Sequence, residues 1–289
     1  MPVSSAVFTP LSREKLLQVA RTLPADLAVL ASLGEVLQDI NSELDHIASV
    51  LRRDVALAAR IVRISNSPVF GGAGQVASVE EAVNRVGFSE ILKLVGTATA
   101  ARFTERALDH YGISAMQLRD NMLYSAIATE SLARAAGLDA RVAYTAGLMR
   151  SLGIIVLDRA SRGQMRFSSH FAASSWENYS AWEGSIFGID NCEVAALILD
   201  EWRFPAELGA AIRGHYLRRP DDTQRPLSAL LNVANSLAQR NGRELPGEAY
   251  WWSLLPEKLS AAGVAEDYLD SSLPDIEAEF DSAISALSV

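Results

Sequence analysis

Apolar residues recur at every third or fourth position along almost the whole chain, and strand-like alternation is absent over any useful length. A period near 3.6 buries one stripe of a helix and cannot bury one face of a strand, so a sheet-based fold is excluded. Leu27, Leu30, Leu33, Leu37 and Ile40 form one such stripe. Asn41 or Ser42 can cap a second helix with Leu44, Ile47, Val50 and Leu51 inward, and Asp54 opens a third with Leu57, Ile61 and Ile64 on one side. Asn66-Ser67-Pro68 and Gly71, Gly72 and Gly74 then mark a loop. Ser78 followed by Glu81 reads as a capping box for a short helix that Gly87 ends, and Ser89 begins a longer one reaching about Leu108.

The same grammar continues. The spacing predicts helices over Asp120 to Ala136, Asp139 to about Leu157, Ser174 to Phe187, Asp190 to Trp202, Pro205 to His215 and Pro226 to Arg240. A last one, Pro274 to Leu287, places Ile276, Phe280, Ile284 and Leu287 on one face. No repeat of solenoid period is present. The expected fold class is all-α.

Charge narrows the function classes. Of the net −9, none arises in residues 1–243, where 25 basic groups balance 25 acidic ones; residues 244–289 hold ten acidic groups against Lys258. A nucleic-acid binder needs a basic face, and Arg52-Arg53, Arg218-Arg219 and the spread Arg159, Arg162, Arg166 read instead as solvated helix faces. The acidic end still carries Trp251, Trp252, Leu254, Leu255, Leu259 and Tyr268, too much apolar surface to leave in water. The longest uncharged run, Ile64 to Val79, is broken by Pro68 and three glycines, so no membrane span is expected, and no signal peptide is evident. With Cys192 as the only cysteine, disulfides and Cys-based zinc sites are excluded, and the cytoplasm is the expected compartment.

Chemistry-bearing motifs are scarce. His46, His110, His170 and His215 each stand alone, with no second histidine three or four residues away to share a metal from one helix face. There is no Gly-x-Ser-x-Gly elbow, and Cys192 has no basic neighbour in sequence. Gly71-Gly72-Ala73-Gly74 lacks the preceding strand and the following Lys-Ser or Lys-Thr of a phosphate loop.

Two stretches together nevertheless resemble a known family. The first runs from Asp54 through Leu57-Ala58-Ala59-Arg60 to Asn66-Ser67, then Ser78-Val79-Glu80-Glu81-Ala82-Val83 and Gly87. The second is Ala146-Gly147-Leu148-Met149-Arg150-Ser151-Leu152-Gly153, followed by Glu183, Phe187-Gly188, Glu193, Trp202, Pro205 and Ile212. The pattern resembles the HDOD family, relatives of the HD phosphohydrolases found in bacterial signalling proteins. The resemblance implies a helical subdomain over residues 20–115 and an HD-like helical subdomain over 116–289, after an N-terminal extension of residues 1–19.

In active HD relatives a His-Asp pair and further histidines and aspartates bind metal. Carried over, those positions fall at Tyr124, Arg150, Ser151, Asn191, His215, Tyr216 and Asn235, so one possible ligand of seven survives. The resemblance therefore implies no metal, no cofactor and no catalytic residues. Arg150 is expected to pair with a retained acid, Glu193 or Asp190, or else to receive an anionic ligand together with Tyr124 and His215.

The expected function is that of a non-catalytic signalling or regulatory protein acting through other, separate signalling proteins. Its candidate contacts are a loop containing Asn66, Ser67, Pro68, Phe70, Gly71 and Gly72, and the acidic tail. The alternatives are a nucleotide or phosphate sensor that keeps the old cleft, and a metal-dependent phosphohydrolase with a rebuilt site.

Overall fold

Among the described residues, six helix starts carry a side-chain cap, at Ser12, Ser78, Ser114, Asp139, Asn178 and Asp190. The computed structural model describes residues 10–23, 48, 51–52, 55–66, 75–163 and 170–287, and among them it contains helices and one isolated bridge, Leu108 with Ile113, but no strand. Helix α1 (Arg13–Ala20) begins at Ser12, whose Oγ accepts from Lys15 N, and lies inside the segment expected to be an extension. It packs on the later helices Leu152–Ser161 and Asn191–Glu201 with Leu16 and Ala20 buried. The stripes read at 27–40 and 42–51 lie outside the described residues, save for Ala48 and Leu51, both buried.

Helix α2 spans Val55–Ser65 and α3 spans Val79–Val86. Ser78 Oγ accepts from Glu81 N at 3.1 Å, but the Glu81 carboxylate takes Ala77 N at 2.7 Å, so the return bond of the expected box lands one residue early. Gly87, at φ 83°, turns the chain directly into α4 (Phe88–Phe103). That helix ends at Thr104, which leaves helical geometry at φ −104° and ψ 22°, short of Leu108.

In the second half α5 (Ala115–Ala135) starts earlier than Asp120. Ser114 and Gln117 form a full capping box there. The single helix read from Asp139 to Leu157 is two, α6 (Ala140–Met149) and α7 (Leu152–Ser161), with the break at Arg150-Ser151. By length and composition Ala140–Ser161 is apolar enough to cross a membrane, yet 83% of its window is buried in the fold. Then follow α8 (Tyr179–Phe187), α9 (Asn191–Glu201), α10 (Ala206–Gly214), α11 (Pro226–Arg240) and α12 (Pro256–Ala262).

The last helix, α13 (Glu266–Leu287), runs through Pro274 instead of starting there. Proline in a helix interior forfeits one backbone hydrogen bond, a cost of about 3 kcal/mol. Burial of Leu269 before it and of Ile276 and Phe280 after it offsets that loss as α13 packs on α4 and α5.

Helix α5 is the axis of the second half, in contact with α4, α6, α11 and α13. Two glycines of the second motif explain how α6 and α7 reach it. A Cβ on Gly147 would stand 2.5 Å from Ser125 O, and one on Gly153 would stand 1.9 Å from Asn191 O. Backbone therefore touches backbone on both sides of the Arg150-Ser151 break. The break is held between α5 and the start of α9.

Candidate functional site

Arg150 closes α6 and points inward, 1% exposed. Its Nη1 donates to Glu248 Oε1 at 2.6 Å, and its Nη2 donates to Asn121 Oδ1. His215 Nδ1 sits 2.6 Å from Ile212 O, which can only accept, so Nδ1 carries the proton and Nε2 accepts from Arg150 Nη1 at 3.4 Å. Tyr216 OH donates to Glu248 Oε1 at 2.6 Å, and the Trp252 ring lies 5.4 Å beneath the guanidinium. Burial works against the Arg150 charge, but the Glu248 carboxylate more than offsets it and raises its pKa. Burial, then the neighbouring guanidinium, pushes His215 well below its ordinary value and keeps it neutral.

The polar cluster continues past Tyr216. Asn191 Nδ2 reaches Tyr216 OH at 3.4 Å, while Asn191 N and Nδ2 both donate to Glu183 Oε2 at 2.8 Å. Tyr111 OH donates to Glu183 Oε1 at 2.7 Å. Burial raises the Glu183 carboxyl to about 8 despite these three donors, and among the described residues no ion pair opposes that shift as Arg150 neutralises Glu248. Cys192, also buried, lies 3.7 Å from His215 Nδ1, and burial raises its thiol well above the ordinary range. It is a packed, protonated thiol rather than a nucleophile.

The structure thus brings together Arg150, Asn191, His215 and Tyr216 of the expected cleft and leaves out the rest. Tyr124 is not part of it: its hydroxyl accepts from Asn241 Nδ2 at 2.9 Å and its ring packs on Phe280 under Arg243. Asn121, one helical turn earlier on α5, takes the place assigned to Tyr124. Asn235 turns to Ser125 Oγ and Leu231 O. Ser151 is buried beside the cluster, and its Oγ has no hydrogen-bond partner among the described residues. The acid expected to pair with Arg150 is also different. Asp190 pairs with Arg218 and Glu193 with Arg213, leaving Glu248 to neutralise Arg150.

Glu248 comes from the tail that sequence reading gave to solvent or to a partner. Much of that tail is paired internally: Glu277 with Arg243, Glu279 with Lys93, and Asp270 with Arg240. Histidines that are solitary in sequence also meet in space. His110 Nδ1 and His170 Nε2 stand 3.0 Å apart, beside Asp158, whose Oδ1 accepts from His110 N. Even so, among the described residues no three His, Cys, Asp or Glu side chains converge as a metal site.

Of the candidate contact loop, Ser67, Pro68, Phe70, Gly71 and Gly72 lie outside the described residues. Asn66 is described and plays a structural part. Its Oδ1 accepts from Val76 N at 2.7 Å and its Nδ2 donates to Val76 O at 2.8 Å. A surface groove of about 580 Å³ between α1, α9 and α10 is lined by Leu11, Ile189, Ala196, Gly209 and Arg213, and by none of the buried cluster.

A family model for the HDOD domain matches residues 23–217. Among solved structures, an HDOD domain protein of unknown function from Geobacter sulfurreducens superposes with a TM-score of 0.67 at 21% identity, covering 94% of this chain and 99% of that one. A candidate phosphohydrolase from Shewanella amazonensis SB2B gives 0.68 at 22% identity over 94% and 98%. A candidate signal transduction protein from Marinobacter aquaeolei VT8 gives 0.65 at 20% identity over 94% and 64%. At such identities the likeness is one of fold. An uncharacterized protein of Treponema pallidum (strain Nichols) is 24% identical over 229 residues, 78% of this chain, and the chain spans 44% of that relative's length.

Proposed function

The chain belongs to the HDOD family, and on that premise we propose that it is a cytoplasmic regulatory module that works by binding other proteins, without catalysis. The observation that carries this reading is the guanidinium of Arg150, buried and pinned by Glu248 where the resemblance places the metal-binding His-Asp pair. A fixed positive charge in a poorly solvated site repels a divalent cation. The remaining donors support the same conclusion. His215 is the one good ligand type at the seven carried-over positions, and both its ring nitrogens are engaged, one by Ile212 O and one by Arg150. A hydrolytic metal site needs about three protein ligands and an open coordination position.

The sensor reading has less behind it. An anionic ligand would have to displace Glu248 from both Arg150 and Tyr216, at positions that are no more than 2% exposed. The test is metal analysis of purified protein, joined to an assay of bis(p-nitrophenyl) phosphate hydrolysis with added manganese or iron(II). The expected result is metal well below one equivalent and no rate above the blank. A stoichiometric metal with turnover that Arg150→Ala alters would replace this reading with an enzymatic one.

A further inference from the structure

We propose that the groove between α1, α9 and α10 is occupied by this chain's own N-terminal segment, with the ring of Phe8 as the anchor. The segment, Met1-Pro2-Val3-Ser4-Ser5-Ala6-Val7-Phe8-Thr9, lies outside the described residues, which begin at Pro10.

The groove, about 580 Å³, has aliphatic and small side chains on its walls, among them Leu11, Ile189, Leu197 and Ala210, together with polar surface. Four charged residues line it, and they cancel: Arg13 and Arg213 against Glu193 and Asp200. Glu193 and Arg213 also pair with each other at 2.9 Å. A balanced groove gives a charged occupant no electrostatic gain and leaves it to be desolvated. Residues 1–9 contain no charged side chain, and they combine Val3, Val7 and Phe8 with three hydroxyl residues. Their chemistry matches the groove's mixture of apolar and neutral polar surface.

The point where the segment leaves the described chain supports the same occupant. Leu11 lines the groove, and Leu11 N donates to Phe187 O at 3.1 Å. Pro10 packs on Gly188, where an added Cβ would stand 3.2 Å from Pro10 Cβ. The next residue after Gly188 is Ile189, which lines the groove. Residue 9 therefore departs from the groove's rim between Leu11 and Ile189. Phe8 is three residues from Leu11, within about 10 Å even when the chain is fully extended. A tether this short supplies an effective concentration of about millimolar, which no separate chain matches at ordinary concentrations.

Only the residues nearest the anchor need be held. Ordering all nine would cost more backbone entropy than one phenylalanine and two valines return, whereas for Val7–Thr9 the two terms are of similar size. The occupant is thus seated yet displaceable. Helix α9 begins at Asn191 and α10 is capped at its end by His215, both members of the buried cluster. On the protein-binding reading above, a partner segment of similar chemistry reaches these two helices only by displacing Phe8.

The experiment is photo-crosslinking of the full chain with p-benzoylphenylalanine in place of Phe8. An equal mixture of ¹⁵N-labelled and unlabelled protein separates bonds within one chain from bonds between chains. We expect crosslinks within one chain to residues 189–213, and their loss when Gly209→Phe fills the groove. Gly209 lines the groove, and a Cβ there meets nothing nearer than Ala196 O at 3.8 Å; a thermal melt verifies the fold of that variant. Phe8→Ala gives an independent reading without the bulkier probe. Loss of the ring is expected to shift the methyl signals of Ala196, Leu197 and Ala210, and to leave those of the distant core residues Ala126 and Leu230 in place. Crosslinks that are absent, fall elsewhere, join two chains or persist in Gly209→Phe overturn the proposal. So do unmoved groove methyls in Phe8→Ala. Metal content and phosphodiester hydrolysis of the unaltered protein report separately on the non-catalytic reading, so either idea can fail alone.

Discussion

Arg150 Nη1 and Glu248 Oε1 form a 2.6 Å ion pair across 98 positions of sequence, with side chains 1% and 0% exposed. The pair joins the broken α6–α7 junction to the acidic end of the chain, which lies beyond the segment matched by the HDOD model. A buried pair is weak evidence of net stabilisation, because desolvating both charges offsets their attraction. Its effect is to make each partner intolerant of losing the other.

That intolerance is measurable. Arg150→Met leaves a buried carboxylate and Glu248→Gln leaves a buried guanidinium, so each single change is expected to cost about 3–5 kcal/mol in denaturant unfolding. The double variant is expected to lose less than the sum of the two by at least about 1 kcal/mol. Additive losses would mean that the two charges are not coupled, and the account of the closed cleft would fall.

How much of this was legible in the sequence follows from the range of the forces. Helices and their starts were readable wherever a cap or periodic stripe is local, as at Asp190 or at Pro226–Arg240. Ser114-Gln117 is an equally local signal, a capping box that starts α5 ahead of the Asp120 expected from apolar spacing. The break at Arg150-Ser151 was not visible, because apolar spacing continues across it and the interruption comes from Gly147 and Gly153 pressing on other helices. The cluster was half legible. Family resemblance located Arg150, Asn191, His215 and Tyr216, but its helical register placed Tyr124 where Asn121 stands. The partner Glu248 and the meeting of His110 with His170 depend on tertiary contacts that no local pattern encodes.

Glu183 gives a pH dependence with a definite sign. Its carboxyl titrates near 4.5 when free and at about 8 when folded, pushed up by burial. Between those values the folded chain holds a proton that the unfolded chain has released. This contribution to stability is therefore complete below pH 4.5 and is lost as pH rises through 8. His110 and His215, both lowered by burial, contribute with the opposite sign, so the comparison must be between variants. Glu183→Gln keeps the shape and neutrality of the protonated acid, with Tyr111 accepting from the new amide. Its stability, followed by urea unfolding at several pH values, is expected to fall less than that of the parent between pH 5 and 8. Parallel curves would show that Glu183 does not titrate in that window.

Two helical glycines are expected to respond in opposite directions. A Cβ on Gly153 would enter the Asn191 carbonyl at 1.9 Å, and backbone on both sides cannot yield. Gly153→Ala is expected to cost several kcal/mol, or to prevent folding, as overpacking in a rigid contact does. On Gly209 in α10 the same carbon meets nothing nearer than Ala196 O at 3.8 Å. Gly209→Ala is expected to stabilise by about 0.5–1 kcal/mol through helix propensity alone. Thermal melts of the two variants decide it, and a tolerated Gly153→Ala would remove the backbone contact from the account of Arg150's placement.

Asn66 tests what the Asn-Ser motif is for. Its amide bridges both polar groups of Val76, and Nδ2 also donates to Val62 O at 3.0 Å, so one side chain ties the end of α2 to the far end of the 67–75 segment. Alanine removes these bonds where water can replace them, and Asn66→Ala is expected to cost about 1 kcal/mol. Aspartate is the sharper test. It matches the size of asparagine and keeps the acceptor for Val76 N, but it sets a carboxylate oxygen against the Val62 and Val76 carbonyls, where a donor is required. Asn66→Asp is therefore expected to be less stable than Asn66→Ala, with faster amide exchange at Val76 in both. If aspartate is tolerated better than alanine, the bridge is not what holds this segment, and the motif's role would have to lie in contacts the segment makes with other molecules.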